Sequence, residues 1–190
     1  MAKGRTSLVA GSREDQEAAR EPARPCDAGL VELLPSRPEH RPAIEAFLRE
    51  RTSLRVARRG ELVDPLAHPS VLAWSGEDLT GVATYVIDGE DCELLTLHAA
   101  TRLTGIGSAL VQAVEDIARD AGCGRLWVVT TNDNVDALRF YQRRGFRLLL
   151  VRPGAVDHSR EALKPEIPRS GAYDIALRDE LELEMPLNRG

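Results

Sequence analysis

The sequence predicts a mixed α/β fold (α+β) whose sheet is mostly antiparallel and is flanked by helices. Strand-like segments outnumber the helices between them, and three of these segments follow one another as a meander. A strong helical pattern then begins abruptly at residue 105. A doubly wound parallel sheet would instead alternate strands and helices along the whole chain.

The composition is that of a globular protein with a modest negative charge. Of 190 residues, 43% are hydrophobic and 29% are charged, and the net charge is −5. This charge disfavours general nucleic-acid binding, which needs a basic patch, and it suits a cationic substrate. No apolar run approaches the roughly 20 residues of a membrane span. The three cysteines are too widely spaced to suggest a disulfide framework or a zinc site, so we expect a cytoplasmic protein.

The N-terminal third predicts a tail followed by a strand and a helix. Residues 1–28 show no apolar period, so we expect a disordered tail, with one domain over residues 29–190. Residues 30–34 predict a strand that ends at a proline. Ser36 is the expected N-cap of a helix that runs towards Arg51 and buries Ile44, Phe47 and Leu48.

The middle of the chain predicts the meander and the strongest helix. After a loop over residues 60–69, strands are expected at 71–74, 80–87 and 91–98. Apolar residues then recur at steps of three and four from Ile106 to Ala121, which is typical of an amphipathic helix.

The C-terminal third predicts a strand at 126–130, a helix at 134–144 closed by Gly145, and a strand at 146–151. A helical turn over 157–163 and a loop follow. Residues 180–187 alternate strictly between acidic and apolar, which predicts a half-exposed last strand.

The turn between the third meander strand and the strong helix is the first candidate site. Gly105 and Gly107 allow close backbone approach, and a helix N-terminus presents unpaired N–H groups with a partial positive charge. An anion, and above all a phosphate, fits such a turn. A dinucleotide motif would need glycine at Leu110, and a P-loop would need a lysine that this turn lacks. A structural turn without a ligand is the remaining alternative.

Two segments together resemble the GNAT superfamily of acyl-CoA-dependent N-acetyltransferases. The turn matches the family's pyrophosphate signature, R/Q-x-x-G-x-G/A, at Arg102, Gly105 and Gly107. Residues 134–146, with the sequence NVDALRFYQRRGF, match its N-x-x-A-x-x-F-Y-x-x-x-G-F pattern. Both lie on the expected elements and in the expected order, so the resemblance implies the GNAT fold over about residues 29–190.

The resemblance also implies a cofactor and the residues that would hold it. Acetyl-CoA would be the acyl donor, with no metal. The turn would cradle its pyrophosphate, the end of the preceding strand would pair with the pantetheine arm, and the second helix would add one contact. The residues at these positions are Leu97, His98, Ala99, Arg102, Leu103, Thr104, Gly105, Ile106, Gly107, Ser108 and Asn134.

Two residues are candidates for the proton transfers. Tyr141 matches the position that often serves as general acid in the family; alternatively, it is a core aromatic of its helix. Glu93 is the best candidate for the general base; alternatively, it is an outward-facing strand charge. A base is needed because a lysine-like amine has a pKa of about 10.4 in water.

The expected function is therefore acetyl transfer from acetyl-CoA to a primary amine, by direct attack in a ternary complex. The acceptor is expected to be a small molecule or a peptide, and loops 59–69 and 164–178 to line its site. An acyl-CoA-binding sensor on the same fold is the main alternative, and an NAD-type oxidoreductase is a weaker one. A homodimer is expected because such dimers are common in the family, although no sequence feature demonstrates one here.

Overall fold

The computed structural model describes residues 31–51, 54–101 and 103–187, so the expected tail at 1–28 lies outside the described residues. Four α-helices occur in these ranges: α1 Arg41–Arg49, α2 Ile106–Asp120, α3 Val135–Gln142 and α4 Ala155–Ala162. The strands are β1 Val31–Pro35, β2 Val56–Arg58, β3 Glu61–Val63, β4 Ser70–Ser75, β5 Asp78–Asp88, β6 Asp91–Ala99, β7 Arg125–Thr131, β8 Arg147–Arg152 and β9 Glu180–Pro186. None of these helices has the length and apolar character needed to cross a membrane.

Seven strands form one sheet in the order β1-β4-β5-β6-β7-β9-β8, and β2 and β3 form a separate hairpin. Neighbouring strands run antiparallel except β6 and β7, which are parallel. The predicted mixed, mostly antiparallel sheet flanked by helices is therefore confirmed.

The two faces of the sheet carry different elements. Helices α2 and α3 bury their apolar residues against one face, whereas α1 packs on Leu72 and Val82 of the other. The first turn of α2 lies directly against β5 at Gly81, where a Cβ atom would be 2.6 Å from Ile106 Cγ2 and 2.9 Å from Leu110 Cδ1. Because only glycine allows this approach, Gly81 fixes where α2 begins relative to the sheet.

The apolar face predicted for α1 is confirmed, since Ile44, Phe47 and Leu48 are all buried. The predicted cap at Ser36 is wrong. The Ser36 hydroxyl accepts the N–H of Ser70 at 3.0 Å and so joins the start of β4, while a short 3-10 helix, Pro38–His40, leads into α1. Competition from a neighbouring strand thus outweighs the local capping preference.

The second strand of the β2–β3 hairpin lies in the segment that was expected to be a loop, residues 60–69. Each of its strands has three residues, and they are joined at Arg59 and Gly60, both with positive φ, of 51° and 78°. Such a turn matches the twist of a hairpin, but Arg-Gly is a weaker sequence signal than Asn-Gly. The expected helical turn at 157–163 is the full helix α4, which packs against β2.

The prediction of a half-exposed last strand is wrong. Glu180, Glu182 and Glu184 of β9 are only 2%, 4% and 8% exposed, because β9 lies inside the sheet between β7 and β8. The alternation of charged and apolar residues is real, but each carboxylate meets donors rather than water. The donors are the Arg59 N–H for Glu180, Arg152 for Glu182, and Arg125 and Arg147 for Glu184. Arg125 also forms an ion pair with Glu182 at 3.7 Å.

Candidate active site

The two parallel central strands separate part-way along their length. β6 pairs with β7 from Asp91 to Glu93, opposite Arg125 to Trp127, and beyond these residues the two strands diverge. Residues Cys92–Thr96 are buried, whereas Leu97, His98 and Ala99 are half-buried along the opening. A strand edge that has left its neighbour presents backbone N–H and C=O groups, which an extended ligand can pair with.

A β-bulge on β6 lies at the start of this opening. Thr96 is opposite Thr84 and Leu94 is opposite Tyr85, so Leu95 has no partner on β5. The extra residue reverses the alternation, which places the Glu93 and Thr96 side chains on the same face of the sheet. This bulge was not predicted from the sequence, although two consecutive leucines in an otherwise alternating strand were a signal for it.

The glycine turn leads from the open end of β6 into α2. Gly105 has a φ of 87°, in the left-handed region, and its carbonyl accepts the N–H groups of Ser108 at 2.9 Å and Ala109 at 3.0 Å. Leu103 also has a positive φ, of 64°, and is almost fully exposed. Thr104 bonds to the Thr101 carbonyl at 3.1 Å, and Arg102 lies outside the described residues. The amides that precede the first bonded turn of α2 are the donors that an anion would use.

Helix α3 braces this turn from the side. A Cβ atom on Gly107 would lie 3.4 Å from the Phe140 ring, and the Arg144 guanidinium stacks 3.5 Å above that ring. Arg144 also donates to the Ser108 hydroxyl and to the Phe140 carbonyl. The structure therefore brings a cation to the start of α2. This role of Arg144 was not predicted, although the residue lies within the matched 134–146 segment.

Tyr141 is buried on the inner face of α3, where its ring packs against Phe140 at 5.2 Å and Phe146 at 5.3 Å between centroids. Burial raises the pKa of its hydroxyl, and the Arg144 charge opposes this only in part. The phenol is therefore protonated at neutral pH, which is the form that a general acid requires.

Asn134 begins α3 as its N-cap. Its side-chain carbonyl accepts the N–H of Ala137 at 3.2 Å, and the residue is otherwise exposed at the open end of the strands. Its amide nitrogen remains the group with which a cofactor contact would be made.

Glu93 is 4% exposed, so the alternative interpretation as an outward-facing strand charge is wrong. Arg58 forms a bidentate ion pair with it: Nε donates to one carboxylate oxygen at 2.8 Å and Nη2 to the other at 2.9 Å. Burial raises the pKa of Glu93, while the bonds from Arg58 and the charges of Arg58 and Arg59 oppose the rise. A buried carboxylate with a raised pKa is a better proton acceptor than an exposed one.

A cavity of about 420 Å³ opens beside Glu93, under the β2–β3 hairpin. Trp127 forms part of its wall, with the Arg59 guanidinium 5.0 Å from the ring. Its charged lining consists of the carboxylates Glu61, Asp88, Asp91 and Glu93 and the arginines Arg58, Arg59 and Arg125.

The loops expected to line an acceptor site are only partly brought to this cavity. Glu61 lies in its lining, whereas Asp64 caps a short 3-10 helix by accepting the Leu66 N–H at 2.8 Å. Glu166 and Asp174 are not part of the lining. The C-terminal loop does reach the residue before the hairpin, because the Lys164 ammonium donates to the Arg55 carbonyl at 2.7 Å.

Two other groups near the opening are held in their neutral forms. Burial, reinforced by the Arg51 charge, lowers the pKa of His98, so its ring is uncharged at neutral pH. Burial raises the pKa of the Cys92 thiol to about 12, which leaves no thiolate for a covalent acyl intermediate there. Both Cys92 and Cys123 are buried in the core.

Residues 31–146 match the family model described as Acetyltransferase (GNAT) family. The chain belongs to this family. The match spans both the opening between β6 and β7 and the two helices that frame it, so the resemblance seen in the sequence is confirmed.

Two curated relatives illustrate how far the likeness extends. The chain is 49% identical to protein YdhI of Bacillus subtilis (strain 168), described as uncharacterized, over 107 residues, 56% of this chain and 66% of that protein. It is 42% identical to streptothricin acetyltransferase of Streptomyces lavendulae over 57 residues, 30% of this chain and 29% of that protein. The matched regions thus span less than two thirds of either relative.

Solved acetyltransferase structures share the fold over most of the chain. A GNAT family acetyltransferase from Elizabethkingia anophelis, with acetyl-CoA bound, is 20% identical with a TM-score of 0.59 and covers 83% of this chain and 98% of its own. The IAA acetyltransferase from Bacillus cereus ATCC 14579 is 22% identical with a TM-score of 0.64 and covers 83% and 99%. Nourseothricin acetyltransferase is 24% identical with a TM-score of 0.58 and covers 83% of this chain and 99% of its own.

Proposed function

We propose that this GNAT family protein transfers an acetyl group from acetyl-CoA to a primary amine by direct attack in a ternary complex. The observation that carries the proposal is the divergence of β6 from β7 just beyond Glu93, with the glycine turn and the N-terminus of α2 at its open end. Membership of the family and the acetyl-CoA-bound structural neighbour support the choice of donor.

The donor would lie along the open end of β6. Backbone groups of Leu97, His98 and Ala99 would pair with the pantetheine arm, and the turn from Arg102 to Ser108 would receive the pyrophosphate. The Arg144 guanidinium, fixed against Phe140, adds positive charge beside that turn. Asn134 would offer its amide nitrogen from the start of α3. The edge of β6, the Arg144 guanidinium and the start of α3 are oriented before the donor arrives, which limits the entropy lost on binding.

The chemistry is aminolysis of a thioester. The amine nitrogen bonds to the acetyl carbon, the carbon–sulfur bond breaks, and CoA leaves as a thiol. Glu93 would accept the proton released by the amine, directly or through one water, since each carboxylate oxygen has a lone pair beyond those used by Arg58. Tyr141 would give a proton to the departing sulfur and regain one from solvent.

The cavity under the hairpin is the natural place for the acceptor, because it opens beside Glu93 on the face opposite α2. Its carboxylates favour a cationic amine. The streptothricin acetyltransferase relative is named for a streptothricin acceptor. A streptothricin therefore belongs in an acceptor panel with polyamines, aminoglycosides, amino acids and peptide N-termini.

A second candidate function is an acyl-CoA-binding sensor without catalysis. The observation that favours it is the double hydrogen bond from Arg58, which engages both oxygens of Glu93, the best candidate for the base. The experiment that separates the two is a thioester-release screen with acetyl-CoA and the acceptor panel. An enzyme releases CoA and one equivalent of acetylated amine; a sensor binds acetyl-CoA tightly and releases neither.

A further inference from the structure

Most of the charged side chains that line the cavity under the β2–β3 hairpin are paired with one another. Arg58 donates to Glu93 and to Glu61, and Arg125 donates to both oxygens of Asp91. A charge that is already paired inside the protein has less to offer a substrate. These pairs leave one cation and one anion of the lining without an ion pair among the described residues.

The cation is Arg59, at the turn of the hairpin. Both carboxylate oxygens of the buried Glu180 accept its backbone N–H, at 3.1 and 3.0 Å, which fixes the residue against β9. Its guanidinium lies over the Trp127 ring, 5.0 Å from the centroid. A guanidinium placed over a ring uses its flat face, and its in-plane N–H groups stay free to donate. The protein thus positions a cation in the cavity, and no described residue accepts a hydrogen bond from its guanidinium.

Arg59 also lies close to the proposed base. Trp127, the ring beneath its guanidinium, is opposite Glu93 in the pairing of β6 with β7, and neighbouring strands lie about 4.8 Å apart. All three residues line the same cavity. The charge of Arg59 is near enough to Glu93 to oppose the rise in the pKa of that carboxylate. An acceptor whose amine meets Glu93 therefore brings the atoms next to its amine towards Arg59.

We propose that Arg59 selects the acceptor by binding a carboxylate next to the reacting amine, so that the substrates are free amino acids. This inference rests on the proposed function. A guanidinium binds a carboxylate through two parallel hydrogen bonds, which fix the orientation of the bound molecule as well as its position. Polyamines, aminoglycosides and peptide N-termini have no carboxylate beside the amine and would leave the donors of Arg59 unused.

The test pairs each amino acid with its carboxamide, which keeps the amine and removes the negative charge. Steady-state kinetics at saturating acetyl-CoA give kcat/KM for both compounds. Because their amines differ in pKa, the ratio of the two values is compared between variants. We expect Arg59→Gln to lower the ratio of amino acid to carboxamide about tenfold or more, through a higher KM for the amino acid alone. Arg59→Lys keeps the charge but not the paired donors, so its ratio should lie between the two.

Asp88→Asn is the matched control, since Asp88 is the anion of the lining that lacks an ion pair among the described residues, and it is exposed like Arg59. We expect D88N to change the ratio by less than about threefold, because an amino acid and its carboxamide carry the same ammonium group. An unchanged ratio in R59Q overturns the inference. Acetylation only of acceptors without a carboxylate also overturns it and leaves the proposed function in place. Release of no CoA with any acceptor overturns the proposed function itself.

Discussion

The two halves of β6 differ in how their polar groups are satisfied. In the half that pairs with β7, Arg125 holds Asp91 through bonds of 2.9 and 2.7 Å, and Arg58 holds Glu93 through bonds of 2.8 and 2.9 Å. In the other half the strand has left β7, and the Thr96 hydroxyl has no partner in the part of the chain that the structure describes.

This difference teaches how one strand serves two purposes. Charges fixed by the protein are oriented before a substrate arrives. A strand edge without a neighbour instead offers its backbone groups to an extended ligand. We infer that the paired half of β6 supplies catalytic charge and that the open half receives the donor. The variants below separate the two halves, from the largest expected effect to the smallest.

Glu93→Gln tests the paired half. We expect kcat for acetyl transfer to fall by roughly a hundredfold or more, because the amide cannot accept the proton of the amine. Steady-state kinetics with the best acceptor of the panel measures this. Glu61→Gln is the control: Glu61 bonds the same arginine and lines the same cavity, but it is exposed and lies off the sheet. Wild-type kcat in E93Q would remove Glu93 as the base.

Tyr141→Phe tests the proposed general acid, which would act on the donor bound along the open half of β6. We expect kcat to fall about tenfold or more, because the CoA sulfur would lose its proton donor while the ring keeps its packing on Phe140 and Phe146. Tyr173→Phe is the control, since Tyr173 is exposed and its hydroxyl donates to Asp136 of α3, the helix that carries Tyr141. Equal kcat values for Y141F and the wild type would leave Tyr141 as a core aromatic.

Gly107→Val tests the turn. A Cβ atom added at this position would lie 3.4 Å from Phe140, so the methyl groups of valine would force the ring and the first turn of α2 apart. We expect the Kd for acetyl-CoA, measured by calorimetry, to rise about tenfold, equivalent to about 1.4 kcal/mol. Gly124→Ala, where a Cβ atom meets its nearest neighbour at 3.9 Å, should leave the Kd unchanged. Unaltered binding by G107V would place the anion site elsewhere.

Arg58→Gln changes the pH dependence. Burial raises the pKa of Glu93, and Arg58 opposes that rise by its hydrogen bonds and its charge. Without Arg58 the pKa of Glu93 moves further up, so the base is protonated over a wider range. The acid limb of the kcat/KM profile should therefore shift to higher pH. Arg49→Gln, which breaks an exposed pair on α1, should leave the profile in place. A limb that stays put or moves to lower pH in R58Q would contradict the role of Glu93.

The β8–β9 pair shows where sequence patterns misled and why. Leu148, Leu149, Leu150 and Val151 of β8 are between 42% and 52% exposed, although they form a continuous apolar run, while the alternating glutamates of β9 are buried. β8 is the edge strand and β9 is its inner neighbour. Strand order depends on pairing between distant segments, so a local hydropathy pattern predicts that strands exist but not which of them is covered.

For the candidate site, as for the sheet, the sequence predicted the local elements but not the contacts between distant segments. The sequence order of the glycine turn and the 134–146 segment predicts the turn, α3 and the position of Tyr141, because these depend on local motifs. The hydrogen bonds from Arg58 to Glu93 join residues that are 35 positions apart in the sequence. The divergence of β6 from β7 depends on how all the strands of the sheet are arranged. Neither feature has a local signal in the sequence. The bulge at Leu95 has only a weak signal, the two consecutive leucines Leu94 and Leu95.

The most direct measurement of the central claim is amide hydrogen exchange with and without acetyl-CoA, read by mass spectrometry at residue level. We expect slower exchange at residues 97–99 and 105–108 when acetyl-CoA is bound, and unchanged exchange at residues 91–93, which are already paired with β7. Protection confined to the β2–β3 hairpin and its cavity, with no change at 97–99 or 105–108, would contradict the assignment of the open half of β6 to the donor.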